Sequence, residues 1–258
     1  MKNRFKEFLA LHYNTELLQI GNVWNVQSAQ VYDKLNFKAI GTSSAAVAAT
    51  LGFADGEEMS FDDYLFVIKW IATSATAILS VDLEAGYGNT PEEISDNIIR
   101  LHSLGVAGIN IEDSIVINGQ RSIVDANEFA AKLKQVTRLL AKAGVEVFIN
   151  LRSDSFLLGL PNALEDALTR TKLYQDTGVH GLFFPCITQI VDIEKITALS
   201  SLPVSVMCMP NLPDFKALQS AGVKRISSGN FLNSIIYQEL ENKVEKIISE
   251  NSFASLFN

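Results

Sequence analysis

Cysteine is nearly missing from this chain: Cys186 and Cys208 are the only two among 258 residues, and both sit in apolar stretches. Such a pair suggests neither a disulfide framework nor a thiolate zinc site, so both read as small core hydrophobes in a protein of the reducing cytoplasm. Basic runs are missing too. With 21 Lys and Arg against 29 Asp and Glu, a formal net charge of -8, no cluster of cations is available for a phosphate backbone, and nucleic acid is excluded as a partner. No apolar run approaches the roughly 18 residues that a membrane span needs. The N-terminal MKNRFKEFLALHYNTELL is interrupted by charge and by His12, so it reads as an amphipathic helix and not as a leader with a continuous apolar centre. Histidine is scarce, and His12, His102 and His180 read as surface residues. No linker rich in Pro, Gly or Ser and no low-complexity tract divides the sequence, so a single domain over 1–258 is expected.

What is present is 48% hydrophobic residues with 19% charged ones, enough to bury a sizeable core. Short apolar runs alternate with helix-period segments along the chain. Eight runs read as strands: 17–22, 38–43, 77–84, 107–113, 145–152, 181–187, 203–209 and 224–229. Helical patterns between them include FDDYLFVIKWIATSA, PEEISDNIIRLHSLG, ANEFAAKLKQVTRLLAKAG and ALEDALTRTKLYQDTG. Thr90 with Pro91 and Glu93 reads as a capping box with a first-turn proline, and Ser60 with Asp63 and Asp125 with Glu128 read as similar starts. Gly105, Gly144, Gly178 and Gly222 fall where helices should stop. Repeated strand–helix units with strands apolar on both faces predict a parallel (β/α)8 barrel of the TIM type, preceded by an extra N-terminal helix and followed by a long C-terminal helical segment over 230–258.

In such a barrel the active site lies where strands end and the following loops begin. Acid collects there. Asp82 and Glu84, in SVDLEAGYGNTPEE, lie two apart at the end of the third strand, which predicts that they share a face. Glu112 and Asp113 end the fourth strand, Arg152 the fifth, and Ser43 and Ser44 the second. Converging carboxylates repel unless a cation neutralises them, and all-oxygen donors point to Mg2+, with Mn2+ as a substitute. Gly86 and Gly88 would let backbone approach the ligand. A lone D-x-E at a strand end is more often a salt-bridged or capping pair; Glu112 and Arg152 on the next strands favour a site. GYGNTP lacks the third glycine of a dinucleotide fingerprint. ISSGNF, at the last strand, fits either a phosphate site or a plain turn.

GNVWNVQSAQVYDKLNFKAIGTSSAAVAATLGFADGE, then VDLEAGYGNTPEE, GINIEDS and NLRSD, together resemble the isocitrate lyase and phosphoenolpyruvate mutase superfamily over residues 17–235. The resemblance implies a magnesium-dependent (β/α)8 barrel acting on small α-keto or α-hydroxy carboxylates through enolate-like intermediates. It implies that Asp82 is the direct metal ligand and that Glu84, Glu112 and Asp55 reach the metal through water. It makes Arg152 the guanidinium for the substrate and places Ser43, Ser44 and Ala45 on the substrate's carboxylate, with Ser44 where a glycine is usual. After the fourth strand the lyases carry a K-K-C-G-H type segment, and the mutases a lysine after E-D. Here SIVINGQRSIVD has neither, although Asn118 and Arg121 remain as substrate-binding candidates. The loop is short, which implies a small or absent lid.

This combination places the chain in the short-loop, phosphonomutase-like branch. The expected activity is a lyase that cleaves a C–C bond of an oxaloacetate-like acid, with Tyr87 or water as acid or base. The alternatives are P–C bond chemistry on a phosphonopyruvate-type substrate, with Arg152 and Arg121 on the phosphoryl group, or a non-catalytic carboxylate-binding barrel. The resemblance also implies a homodimer or homotetramer in which residues 230–258 are exchanged between subunits.

Overall fold

The computed structural model describes residues 4–257; residues 1–3 and 258, the ends of the expected domain, lie outside the described residues. Helix α1 (Arg4–His12) precedes a closed barrel of eight parallel strands. The strands are β1 (Leu18–Val23), β2 (Ala39–Thr42), β3 (Ile78–Asp82), β4 (Gly108–Glu112), β7 (Phe148–Arg152), β8 (Gly181–Phe184), β9 (Val204–Met207) and β10 (Val223–Ser227). Each falls on one of the eight apolar runs. Between β4 and β7 lies an antiparallel hairpin, β5 (Ser114–Ile117) and β6 (Gln120–Ile123). The helices are α2 (Val26–Lys34), α3 (Ser44–Leu51), α4 (Phe61–Ser74), α5 (Pro91–Ser103), α6 (Ala126–Lys142), α7 (Ala163–Tyr174), α8 (Ile190–Leu199), α9 (Phe215–Ser220) and α10 (Phe231–Glu250).

Local chemistry starts and stops these helices where the sequence suggests. Thr90 caps α5 in a capping box with Glu93, Ser60 accepts from the Asp63 amide, and Asp125 accepts from the amides of Asn127 and Glu128. Gly105, Gly144, Gly178 and Gly222 all have positive φ, as helix-terminating residues do.

Parallel pairing fixes which side chains enter the barrel. Asp82 pairs with Asn110 in register, Asn110 with Asn150, and Glu112 with Arg152. Arg225 on β10 donates to Asn110 Oδ1 at 3.2 Å. Because β10 and β4 are not neighbours in the sheet, that bond crosses the interior and proves that this set of positions points inward. The opposite faces of the strands, with Ile40, Val81, Ile109, Ile111 and Leu151 fully buried, pack under the helices.

Helix α1 closes the bottom of the barrel. A Cβ on Gly108 would lie 2.5 Å from the Phe8 ring, so glycine is required for Phe8 to enter. His12 is fully buried, stacks on Phe148 at 4.0 Å and bonds the Phe8 carbonyl through Nδ1 at 2.8 Å. This corrects the surface placement expected for His12: the apolar face of α1 turns it into the plug. His180 is likewise drawn against Phe5 and Phe148. The cysteines also differ from expectation. Cys208 is exposed, and Cys186 is half-buried at φ 65, since both lie just past strand ends where the chain has left the core.

Only Asn233 of α10 is buried, while Ile235, Ile236, Leu240 and Ile248 are exposed. No helix among the described residues is long and apolar enough to cross a membrane.

Burial, and then the charge of Arg225, lower the His12 pKa to about 3. The fold therefore favours neutral His12, a contribution fully present above the ordinary value of 6.5 and lost as pH falls from there toward 3. His12→Gln should lose less stability over this interval than the wild type, measured by urea unfolding at a series of pH values; parallel curves would contradict the assignment.

Candidate active site

Strand β3 ends at Asp82, whose carboxylate accepts from the Ser44 hydroxyl at 3.0 Å and from Asn110 Nδ2 at 3.4 Å. The same hydroxyl lies 3.1 Å from Asp55 Oδ1, so Ser44, in the first turn of α3, links the two acids. Tyr64 braces the strand end from α4, its hydroxyl donating to the Asp82 carbonyl at 2.8 Å. Burial, together with the Asp55 charge, raises the Asp82 pKa against the opposing pull of Arg152.

Glu84 reaches the site by a different route from strand alternation. The strand has ended before it, and Glu84 adopts φ 51, which turns it back inward to only 2% exposure. Both of its oxygens are engaged: Oε1 accepts from the Tyr87 hydroxyl at 2.9 Å and Oε2 from the Glu57 amide at 2.9 Å. Burial, then Asp55, Asp82 and Glu112, push its pKa up to about 8. The Tyr87 ring stacks on Tyr64 at 5.7 Å, and burial with the neighbouring Glu84 raises the pKa of its hydroxyl.

Two guanidiniums oppose this acid. Arg152 forks onto Asp154, with Nε at 2.6 Å and Nη2 at 3.1 Å, and reaches Glu112 Oε2 through Nη1 at 2.8 Å. Burial works against the Arg152 charge, but Glu112, Asp154 and Asp82 more than offset it. Arg121 comes from the hairpin and pairs with Glu112, with Asp55 Oδ2 at 2.9 Å and with Ser114 Oγ at 2.9 Å. Burial is also the main cause lifting Glu112, to about 7, with Arg152 and Arg121 opposing. Asp55, Asp82, Glu84, Glu112 and Asp154 thus face Arg121 and Arg152, an excess of negative charge.

The structure brings together Ser44, Asp55, Asp82, Glu84, Glu112, Arg121 and Arg152 from the sequence candidates. Ser43 caps α3 through its hydroxyl, leaving Ala45 in the first helical turn, where amides are free of intrahelical bonds. At Gly86 and Gly88, Cβ atoms would lie 2.8 Å from Ile94 and 2.7 Å from Glu93, so the missing side chains make room for α5. Asn118 is exposed at the hairpin tip with φ 51, followed by Gly119 at φ 75, a two-residue turn. Asp113 points outward, accepting from the Tyr174 hydroxyl at 2.9 Å and Arg170 at 3.1 Å. In ISSGNF, the Ser228 amide donates to Asn22 at 2.7 Å and Gly229 turns at φ 57, which makes it a turn.

Asp154 and Ser114 join the site without being among the sequence candidates. The R-x-D and E-D-S strings contain them, but nothing in spacing alone says that Ser114 donates to Asp154 at 2.6 Å. The short loop takes the form of this small hairpin, whose Val116 packs where a Cβ on Gly56 would lie at 2.7 Å, joining β5 to the Asp55 loop.

No group of three or more His, Cys, Asp or Glu among the described residues is gathered to hold a metal ion by itself. The donor chemistry nevertheless fits a hard cation with water completing its shell: hard oxygens only, carboxylate pKa values raised by burial and then by neighbouring carboxylates, and Asp82 bonded to a hydroxyl and an amide but to no guanidinium.

Barrel and rim together define an enzyme of the lyase and mutase class of (β/α)8 barrels. The phosphoenolpyruvate phosphomutase family profile matches residues 8–248, and the chain belongs to that family. An uncharacterized protein of Mycobacterium tuberculosis is 30% identical over 223 residues, 86% of this chain and 81% of the relative. The oxaloacetate decarboxylase of a Bradyrhizobium species is 29% identical over 193 residues, 71% of this chain and 64% of the relative. A solved structure from Burkholderia cenocepacia, described as a candidate phosphonomutase, superimposes with a TM-score of 0.88 at 33% identity, covering 95% of this chain and 100% of that one.

Proposed function

We propose that the enzyme is a magnesium-dependent lyase that cleaves a C–C bond of a small α-keto or α-hydroxy carboxylate of the oxaloacetate type through an enolate. One observation carries this reading: the rim keeps its oxygen donors and both arginines, while the hairpin 114–123 over it has no Cys, Lys or His. Decarboxylation suits such a site, because the bond to the departing carbon dioxide breaks without a proton transfer and leaves its electron pair on an enolate that positive charge stabilises; Tyr87 or water then supplies the proton that gives the keto acid. The similarity to an oxaloacetate decarboxylase supports the same substrate type.

Asp82 would hold the magnesium directly, with Asp55, Glu84 and Glu112 around it, and manganese would substitute. Bound there, the ion supplies a Lewis acid for the substrate's keto and carboxylate oxygens. Arg152, held rigid by Asp154, orients the substrate carboxylate with its planar fork. The amides of Ser43, Ser44 and Ala45 take the other carboxylate at the N-terminus of α3. Arg121 closes the site from the hairpin, and Tyr87 orients Glu84 through its hydroxyl. P–C bond chemistry on a phosphonopyruvate-type acid is the second reading, favoured by the two guanidiniums that meet on Glu112.

Purified enzyme with Mg2+ should form pyruvate from oxaloacetate faster than Mg2+ alone, and Asp82→Ala and Arg152→Ala should each lose roughly a hundredfold. Phosphate release from phosphonopyruvate without any pyruvate from oxaloacetate would replace the lyase reading with the second one.

We also propose that the exposed apolar residues of α10 pack on a second copy of the chain, giving a dimer or tetramer. Light scattering should show a smaller species when the chain is ended near Glu239, and an unchanged oligomer would rule out dependence on α10.

A further inference from the structure

The loop Phe53–Met59, between α3 and α4, carries Asp55 to the rim but takes its own shape from another residue. The Glu57 carboxylate reaches the turn after β3, where the Tyr87 amide donates to its Oε1 at 2.7 Å, while the adjacent Gly86 amide closes the turn on the Leu83 carbonyl at 2.9 Å. In return, the Glu57 amide donates to Glu84 Oε2 at 2.9 Å. The two segments therefore hold each other by both side chain and backbone.

Conformation points the same way. Glu57, Glu84 and Tyr87 have φ of 63, 51 and 52, and Gly86 has 115. Non-glycine residues persist in this region only where their surroundings determine it, and here three such residues are bonded to one another. Successive amides in turn conformations of this kind form a concavity that binds anions. We propose that the turn 84–87 is a backbone carboxylate receptor whose resident occupant is Glu57, and that this plug is the positioning device that sets Asp55 and Glu84 at the rim.

The geometry of the neighbours gives the plug its reach. Asp55 lies two residues before Glu57, and Gly56 between them packs on Val116 with no room for a Cβ. Seating Glu57 thus fixes the angle at which Asp55 meets Arg121 and Ser44, and it fixes Glu84 through the Glu57 amide. Glu57 itself touches no reacting group in this arrangement. The proposal deepens the reading of the same rim, but its consequences are visible without turnover.

Hydrogen exchange on the full-length protein tests it, comparing wild type, Glu57→Ala and Glu57→Gln with and without millimolar sodium formate. In Glu57→Ala, peptides covering 53–59 and 84–88 should exchange at least tenfold faster while the strand peptides keep their protection. Formate, entering the vacated receptor, should slow exchange again at 84–88 in that variant and leave the wild type unaffected. Unchanged exchange at 84–88, or acceleration that formate does not reverse, would overturn the proposal. Should the alanine variant fail to fold, Glu57→Gln decides: its single carbonyl oxygen should give several-fold faster exchange at 84–88, and wild-type rates there would refute a carboxylate receptor. Amide exchange is read independently of catalysis, so a failed lyase assay and a failed plug are told apart.

Discussion

Like charges held close in a medium that water only partly enters set the terms for the whole upper face of this barrel. Two unit charges 4 Å apart interact by about 4 kcal/mol at the effective dielectric of a protein surface, and the rim places five carboxylates around two guanidiniums. The arrangement is a compromise between these forces. Arg152 and Arg121 are drawn onto Glu112, Ser44 stands between Asp55 and Asp82, and the Glu84 carboxyl is left with a pKa near the physiological range, about 8. An excess of negative charge of this kind is what the cation proposed above would offset.

The scaffold tolerates this strain because the layers beneath and outside the rim are closed. Inside, Asp82, Asn110, Asn150 and Arg225 form a hydrogen-bonded chain through the barrel, sealed below by Phe8 and His12. Outside, Asp113 accepts from Arg170, Tyr174 and the Asp154 amide, so the residue next to Glu112 anchors the segment that carries Asp154 and thereby the fork of Arg152. One strand end thus serves both sides of the wall: Glu112 faces the chemistry and Asp113 the helix layer.

Much of this was legible in the residues. Buried parallel strands are continuous apolar runs, and all eight could be located because glycines and capping boxes punctuate them. The acids at strand ends are legible because several successive strands finish in charge, although Asp113 shows that one such acid serves the helix layer instead. Other features depend on geometry that spacing does not encode. Glu84 enters through a left-handed turn and not by alternation, and His12 is buried because α1 plugs the barrel, which its mixed sequence does not announce. The hairpin does carry a local signal: Asn118-Gly119 between alternating residues is a strong two-residue turn pattern, and the turn delivers Arg121 to the rim while Asn118 stays at the tip. The space that Gly86 and Gly88 leave for α5 is likewise invisible in the spacing. Partners that arrive from distant segments, such as Ser114 for Asp154 or Glu57 for the turn 84–87, become visible only in three dimensions.

On this reading the rim is completed by a divalent cation and a small dianion acting together. Oxalate, a planar dianion shaped like a pyruvate enolate, tests it without requiring turnover. In calorimetric titration, oxalate should bind wild-type protein tightly only when Mg2+ is present, and Asp82→Ala should abolish this dependence along with the binding. Oxalate binding of equal strength with and without Mg2+, or none under either condition, would contradict the account.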